Sequence, residues 1–507
     1  MKNIIKFSSR VVSFVFALLV VMPFFFAPVK TFADEGKEIT VFSVDDYIHE
    51  ATEEGELGVL EMFEEETGIK VNYLTFATNE EMYNELKKDP NACDLVCPSE
   101  YMIMKLAEEE MIRKFETPNN FKEYGSEYIK NVFKKYPLNI MDEDEGETYA
   151  VGYMWGTVGL IYSIDNMGEN PEILTNWSGL WDKSLNGRVT IKDSIRDTYF
   201  IALAKVFEEE LLSCKQKFEN GEYITIEDPT GIEGYNRDIT EIVNRTDYAS
   251  VQAVESELAI LKQNLFGFEV DSGKSDILTG KIDVNLAWSG DAVYSIYQGL
   301  FDDDGNPLPN QVFLGYTIPE EGSNVWFDGY VMTKNADYDS SLLFLDFIAR
   351  PDVAVLNMDF TGYTSCIAGD EVFEYVLDSY NDDESEVCVD LKYFFDPSYE
   401  GDDYVVRVSE DVEQIFFAQY PTEEEINRCA IMKNFSGEEL VRINDMWEKT
   451  KLVTLTDLQI YLTLAGMLAV IGIVVVIKYR EKIFGKKSFD VVEKKSKYKV
   501  IKREKLN

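Results

Sequence analysis

The chain reads as an α/β protein on a mostly parallel sheet, set between an export signal and a membrane-spanning helix. Three observations carry this reading. Short apolar runs alternate with segments of helical periodicity, the pattern of strand–helix crossovers that lay helices on a sheet. Lys2, Lys6 and Arg10 precede an apolar run from Val11 to Ala27, and Thr31-Phe32-Ala33 follows it with the small residues of a cleavage site. Leu458 to Ile477 is a charge-free span of twenty residues, long enough to cross a bilayer.

The elements follow in order. Ile39 to Ser43 reads as a strand. Leu57 to Thr67 reads as a helix with Leu57, Leu60 and Phe63 on one face and Gly68 as its C-terminal stop. Ile69 to Phe76 is a second strand. Asn79 to Lys88 is a helix capped by Thr78 or Asn79 and stopped before Pro90. Asp94 to Cys97 is a third strand and Glu100 to Met111 a third helix. A second block repeats the pattern, with strands at Tyr149 to Tyr162, Val189 to Lys192 and Val284 to Trp288 and a helix at Phe200 to Leu212. Helical periodicity returns in Ser341 to Ala349, ended before Pro351, and in Gly437 to Lys449.

A length of 507 residues and a hydrophobic fraction of 45% suffice for sizeable cores. The net charge of −45 argues against nucleic acid as a partner. Its distribution sharpens the point: residues 1–33 carry four basic residues and no acid, and 478–507 twelve against four, leaving 32 against 89 between them. Cationic partners suit such a body. Lys478, Arg480 and Lys482 behind the apolar span place the tail in the cytoplasm and residues 34–457 outside. Whether 1–33 is a cleaved signal peptide or a signal anchor, the body falls on the same side. Six scattered cysteines show neither a disulfide framework nor zinc spacing. Cys93 and Cys97 read as core residues, and a bridge among Cys366, Cys388 and Cys429 stays open. His49, the single histidine, reads as a surface residue, and no histidine-based metal site is expected. The acidic runs at 142–147 and 302–304 read as solvated turns rather than calcium loops. No phosphate-binding glycine loop occurs, and no cofactor or catalytic residue is indicated.

The stretch from Gly315 to Asn335 carries the clearest chemistry. Pro319 and Gly322 break the chain before a strand-like run, Val325 to Met332, in which Trp326 and Asp328 lie on one face. An indole beside a carboxylate suits an organic ammonium: the ring face attracts the cation and the carboxylate accepts its N–H.

Several runs together resemble a known family. Phe42-Ser-Val-Asp-Asp-Tyr47, Phe63-Glu-Glu-Glu-Thr-Gly-Ile-Lys-Val71, Asn79-Glu-Glu-Met-Tyr83 and Asp94-Leu-Val-Cys-Pro-Ser-Glu-Tyr101 resemble the N-terminal lobe of the spermidine/putrescine-binding receptors of polyamine ABC transporters. Gly152-Tyr-Met-Trp-Gly156, Trp177-Ser-Gly-Leu-Trp181, Ala287-Trp-Ser-Gly290, Val325-Trp-Phe-Asp-Gly329, Ala349-Arg-Pro-Asp-Val353 and Thr361-Gly-Tyr363 continue the likeness, which covers about residues 38 to 450. The resemblance implies a two-lobed, type II periplasmic-binding fold. Lobe one would hold 38–150 and 328–363, and lobe two 151–327 and 364–450. It implies ligand contacts at Asp45, Tyr47, Ser99, Tyr101, Ser194, Asp197, Trp288, Trp326, Asp328 and Tyr363. Two departures stand out: Val44 where the family has an aromatic, and Ser194 where it has a carboxylate. The function implied is a membrane-anchored receptor that binds putrescine or spermidine and delivers it to an ABC permease and ATPase. The alternatives are an extracellular enzyme such as a glycosidase, or a sensory co-receptor.

Overall fold

Alternating side chains of Ile39-Thr-Val-Phe-Ser-Val44 set the first strand, whose Ile39 and Val41 are fully buried. The computed structural model describes residues 36–52, 55–134, 146–168, 171–302, 305–435 and 437–452, together with 470, 471, 474 and 478. Two units divide the chain, Met1–Thr450 and Lys451–Asn507. In the second, Val470, Ile471, Val474 and Lys478 are helical and exposed. The signal at 1–33 and most of the span from Leu458 to Ile477 lie outside the described residues; among those described, no helix is long and apolar enough to cross a membrane.

The first unit is built on one 11-stranded sheet. Its strands are β1 (Glu38–Val44), β2 (Lys70–Phe76), β3 (Leu95–Val96), β4 (Ile112–Arg113), β5 (Ala150–Ser163), β6 (Val189–Lys192), β7 (Leu265–Glu269), β8 (Val284–Trp288), β9 (Leu314–Thr317), β10 (Val325–Thr333) and β11 (Thr364–Ser365). The main path runs β2-β1-β3-β10-β5-β8-β6-β7, with β9 and β11 on β5 and β4 on β10. The expectation of a mostly parallel sheet needs correction. Each flank is parallel, β1 to β2 and β3 and β6 to β7 and β8, but every pairing of β5 and β10 is antiparallel. The reason is that β5 and β10 run through the middle and join two separately wound flanks, and local alternation of strand and helix cannot register such a return strand.

The helices used below are α1 (Val59–Thr67), α2 (Asn79–Lys88), α3 (Glu100–Glu108), α4 (Ile195–Val206), α5 (Glu208–Glu219), α6 (Tyr248–Leu261), α7 (Ser289–Leu300), α8 (Tyr338–Ile348) and α9 (Glu413–Gln419). Gly68 ends α1 at φ 74°, a left-handed conformation that glycine adopts without penalty. The Thr78 hydroxyl accepts from the Glu81 N–H at the start of α2. The helix expected at 200–212 is two, α4 and α5, because the chain leaves helical geometry at Phe207 (φ −108°, ψ 25°).

Two apolar clusters flank the crossing strands. The first gathers Ile39, Val41, Phe63, Leu95, Met102, Trp155, Tyr330 and Phe344. Phe63 meets Phe344 and Phe347 of α8 edge-on at 5.2 and 5.4 Å, so that Phe63→Ala would cost about 3–5 kcal/mol. The second gathers Val158, Leu160, Val189, Ile191, Val284 and Leu286 against residues of α4 and α6, such as Leu203 and Val254. β5 serves both, through 150–155 in the first and Val158 and Leu160 in the second. Residues 364–431, expected in lobe two, place Ile367, Phe394 and Phe416 in the first cluster. Phe394 stacks on Trp155 at 5.4 Å, and α9 packs on α7. The aromatic residues of this segment join a core that already holds Phe121, Ile129 and Trp155, which spacing along the chain does not reveal.

All six cysteines are free, and Cys388 alone among them is exposed. His49 is half-buried rather than a surface residue, its ring edge-on to Phe360 at 6.0 Å and its backbone N–H donating to Asn357 Oδ1.

Candidate functional site

At the end of β1 the chain turns through Asp46, whose φ of 51° lies in the left-handed region that Asp tolerates better than most residues. The turn leaves Asp45 exposed and buries Tyr47. The Tyr47 hydroxyl donates to Asp328 Oδ2 at 2.8 Å, and the Tyr47 carbonyl accepts from the Tyr153 hydroxyl at 2.5 Å. Asp328 lies where the β10 register shifts and forms an isolated bridge with Ser99, just before α3. Asn79 Nδ2 donates to Ser99 Oγ at 3.0 Å, which ties α2 to the same point. Two residues on, Tyr101 donates its hydroxyl to Glu80 Oε1 at 3.2 Å and turns its ring toward the Arg196 guanidinium, 5.4 Å from the centroid.

Arg196 and Asp197 open α4 on the second flank. The Ser194 hydroxyl caps this helix by accepting from the Asp197 N–H at 3.3 Å, and that capping role accounts for the serine. Trp288 ends β8 at the start of α7. One face of its indole is taken by the ammonium of Lys192, 4.2 Å from the centroid. Lys192 is only 1% exposed and pairs with Asp291 Oδ2 at 2.8 Å and Glu269 Oε1 at 3.1 Å. The Tyr363 hydroxyl donates to Asp291 Oδ1 at 3.2 Å. The Tyr363 ring meets Trp326 at 5.6 Å and Tyr47 at 5.8 Å, both edge-on. Two glycines leave room for these rings. A Cβ on Gly290 would stand 2.5 Å from the Tyr363 ring, and one on Gly156 would stand 2.9 Å from the Trp326 ring.

The electrostatics follow from burial. Loss of water raises the Asp328 carboxyl to about 6, against the opposing hydrogen bonds of Ser99 and Tyr47 and with a further upward push from Asp197. Burial raises Asp197 as well, opposed by hydrogen bonds from Ser194 and Trp288 and by the charges of Lys192 and Arg196. Burial alone would lower Lys192, yet Asp291 and Glu269 outweigh it and hold the ammonium above its ordinary value. Burial lowers Arg196 to about 10. Acids from both flanks therefore converge on one aromatic-walled place, where a cation would offset their lost hydration.

Eight of the ten residues expected at the site meet in this cluster: Tyr47, Ser99, Tyr101, Asp197, Trp288, Trp326, Asp328 and Tyr363. Asp45 faces solvent, and Ser194 is the cap of α4. Sequence reading did not single out Glu100, Arg196 or the Lys192–Asp291 pair. For Asp291 a signal existed, one residue past the Ala287-Trp-Ser-Gly290 run. A cavity of about 460 Å³ lies elsewhere, lined by Ile296, Leu300, Phe313, Leu314 and Ile415 among others, and shares no residue with the cluster.

The model of the bacterial extracellular solute-binding proteins matches residues 58–370, more than half the chain. The chain belongs to that family. As a member it binds a solute outside the cytoplasm and is not an enzyme. Among curated relatives of this solute-binding protein, the spermidine/putrescine-binding periplasmic protein of Salmonella typhimurium is 28% identical over 322 residues, covering 62% of this chain and 76% of that one. The putrescine-binding periplasmic protein PotF of Escherichia coli is 25% identical over 344 residues, covering 66% and 80%. Among solved structures, a putative spermidine/putrescine ABC transporter protein from Listeria monocytogenes superposes with a TM-score of 0.56 at 22% identity, covering 82% of this chain and 99% of that one. The spermidine/putrescine substrate-binding protein PotD of Streptococcus pneumoniae gives 0.53 at 21%, covering 82% and 98%. These two likenesses establish the fold, a mixed α/β periplasmic-binding architecture.

Proposed function

We propose that the protein binds a polyamine, putrescine or spermidine, between two lobes joined by β5 and β10, and delivers it to an ABC permease with its ATPase. The observation that carries this reading is the convergence of Asp328 from the crossing strand β10 and Asp197 from α4 on Trp326, Trp288, Tyr47 and Tyr363. Carboxylates at both ends fix ammonium groups, and ring faces cover the methylenes between them. Ser99 and Tyr101 complete the first wall, Ser194 acts on the second through its cap of α4, and Asp45 acts from the exposed turn before Tyr47. The relatives from Salmonella typhimurium and Escherichia coli are named for the same ligand class. We further propose that Leu458 to Ile477 holds the receptor at the membrane, with 478–507 in the cytoplasm and the binding unit outside.

Thermal unfolding of the full chain in detergent tests the ligand class. Putrescine and spermidine at a hundred times Kd should add about 2.7 kcal/mol of stability by mass action, while amino acids and sugars leave the midpoint unchanged. A sugar that raised the midpoint, with the amines inert, would overturn the reading.

A further inference from the structure

Glu100 opens α3 between Ser99 and Tyr101 and is 1% exposed. Its Oε2 has no hydrogen-bond partner among the described residues. Both sequence neighbours face the crossing point: Ser99 bridges to Asp328, and the ring of Tyr101 faces Arg196. The charges that act on Glu100 come from both flanks, Asp328 on β10 and Arg196 and Asp197 on α4. Arg196 does not satisfy it. Its Nε and Nη1 also lack partners, and its guanidinium lies 3.6 Å from the Phe435 ring centroid.

A buried carboxylate oxygen without a partner costs several kcal/mol and persists where something else gains from it. Charge counting shows what gains. Asp291 and Glu269 are answered by Lys192, with Lys274 at 3.9 Å from Asp291. Asp197 and Asp328 against Arg196 leave one negative charge, and Glu100, whose burial favours its neutral form until an ammonium faces it, would raise this to two. We propose that Glu100 is a third ligand-contacting carboxylate, which matches the cleft to a diammonium or longer amine and sets it against amines of single charge. This rests on the polyamine reading above. It also supplies an acid in a cleft where Ser194 supplies only a helix cap.

Calorimetry of the full chain with putrescine and with butylamine, a monoammonium of equal carbon number, tests the idea. The expected result is a strong preference for putrescine in the wild type. Glu100→Gln should reduce that preference tenfold or more while butylamine affinity changes less than threefold. A preference kept within twofold, in a variant that unfolds at the wild-type temperature, overturns the proposal and leaves the polyamine reading intact. If neither amine binds the wild type, the polyamine reading itself fails. Should Glu100→Gln not fold, Glu100→Asp decides: it keeps the charge but draws the carboxylate back along a shorter side chain, and the preference for putrescine over butylamine should fall at least threefold. An unchanged preference in the folded Glu100→Asp overturns the proposal.

Discussion

Asp328 is the residue whose chemistry is most exactly set by its surroundings. Its carboxyl stands at about 6 in the folded chain against an ordinary value near 4, so the folded state favours the protonated form. The sign follows from linkage. Below about pH 4 the group is protonated folded or unfolded; between about 4 and 6 the unfolded chain ionises first, and the unliganded fold loses stability as pH rises. Ammonium binding needs the ionised form, so affinity should rise with pH and be about tenfold weaker at pH 5 than well above 6. Asp328→Asn should remove this step and weaken putrescine binding by about 1.5–3 kcal/mol, one charge-assisted hydrogen bond. A pH profile of Kd for both proteins checks it, and an unchanged profile would remove Asp328 from the site. The Trp326-Phe-Asp328 spacing was readable because a strand repeats its faces every two residues. Glu100 was not, since a glutamate opening a helix reads as a solvated first-turn acid.

Among the elements, the flanks were legible and the junction was not. β6 and β8 coincide with the expected runs Val189 to Lys192 and Val284 to Trp288, and α2 runs from its Thr78 cap to the break before Pro90, because caps, prolines and β-branched runs act locally. The antiparallel crossing of β5 and β10 depends on pairings between residues some 170 apart, such as Phe327 with Trp155, which no local pattern encodes. Ring seating has the same character. Gly156 and Gly290 look like ordinary strand and helix glycines in sequence, yet each marks where a ring lies. Gly290→Ala should displace Tyr363 and weaken amine binding at least tenfold, with an overpacking cost of about 1–3 kcal/mol. Calorimetry beside urea denaturation separates the two effects; full affinity in the folded variant would place Tyr363 outside the ligand contacts.

For the whole molecule, the two apolar clusters meet at the crossing strands, and the first extends past them to Ala287 of β8 and Ala292 and Ile296 of α7. Residues 364–431 tie into this junction through β11 on β5 and α9 on α7. A receptor held at the membrane meets its permease at high effective concentration, and even a weak docking surface then suffices. Deletion of residues 456–507 should release the protein into the medium with putrescine affinity unchanged, while uptake falls at low amine concentration. Retention at the cell after removal of the signal, or cleavage of the basic tail by protease outside intact cells, would refute the anchor or its direction.

Lys192 gives the fold a resident imitation of its own ligand: an ammonium over an indole, held between two carboxylates. The imitation has a practical use. Lys192→Met would strand Glu269 and leave Asp291 with only Lys274 at 3.9 Å, at a cost of about 3–5 kcal/mol, and the lost stability should return in part when methylammonium is supplied to fill the place. Midpoints of thermal unfolding with methylammonium and with sodium would read the rescue directly, and equal midpoints would mean that the cradle cannot take a free amine.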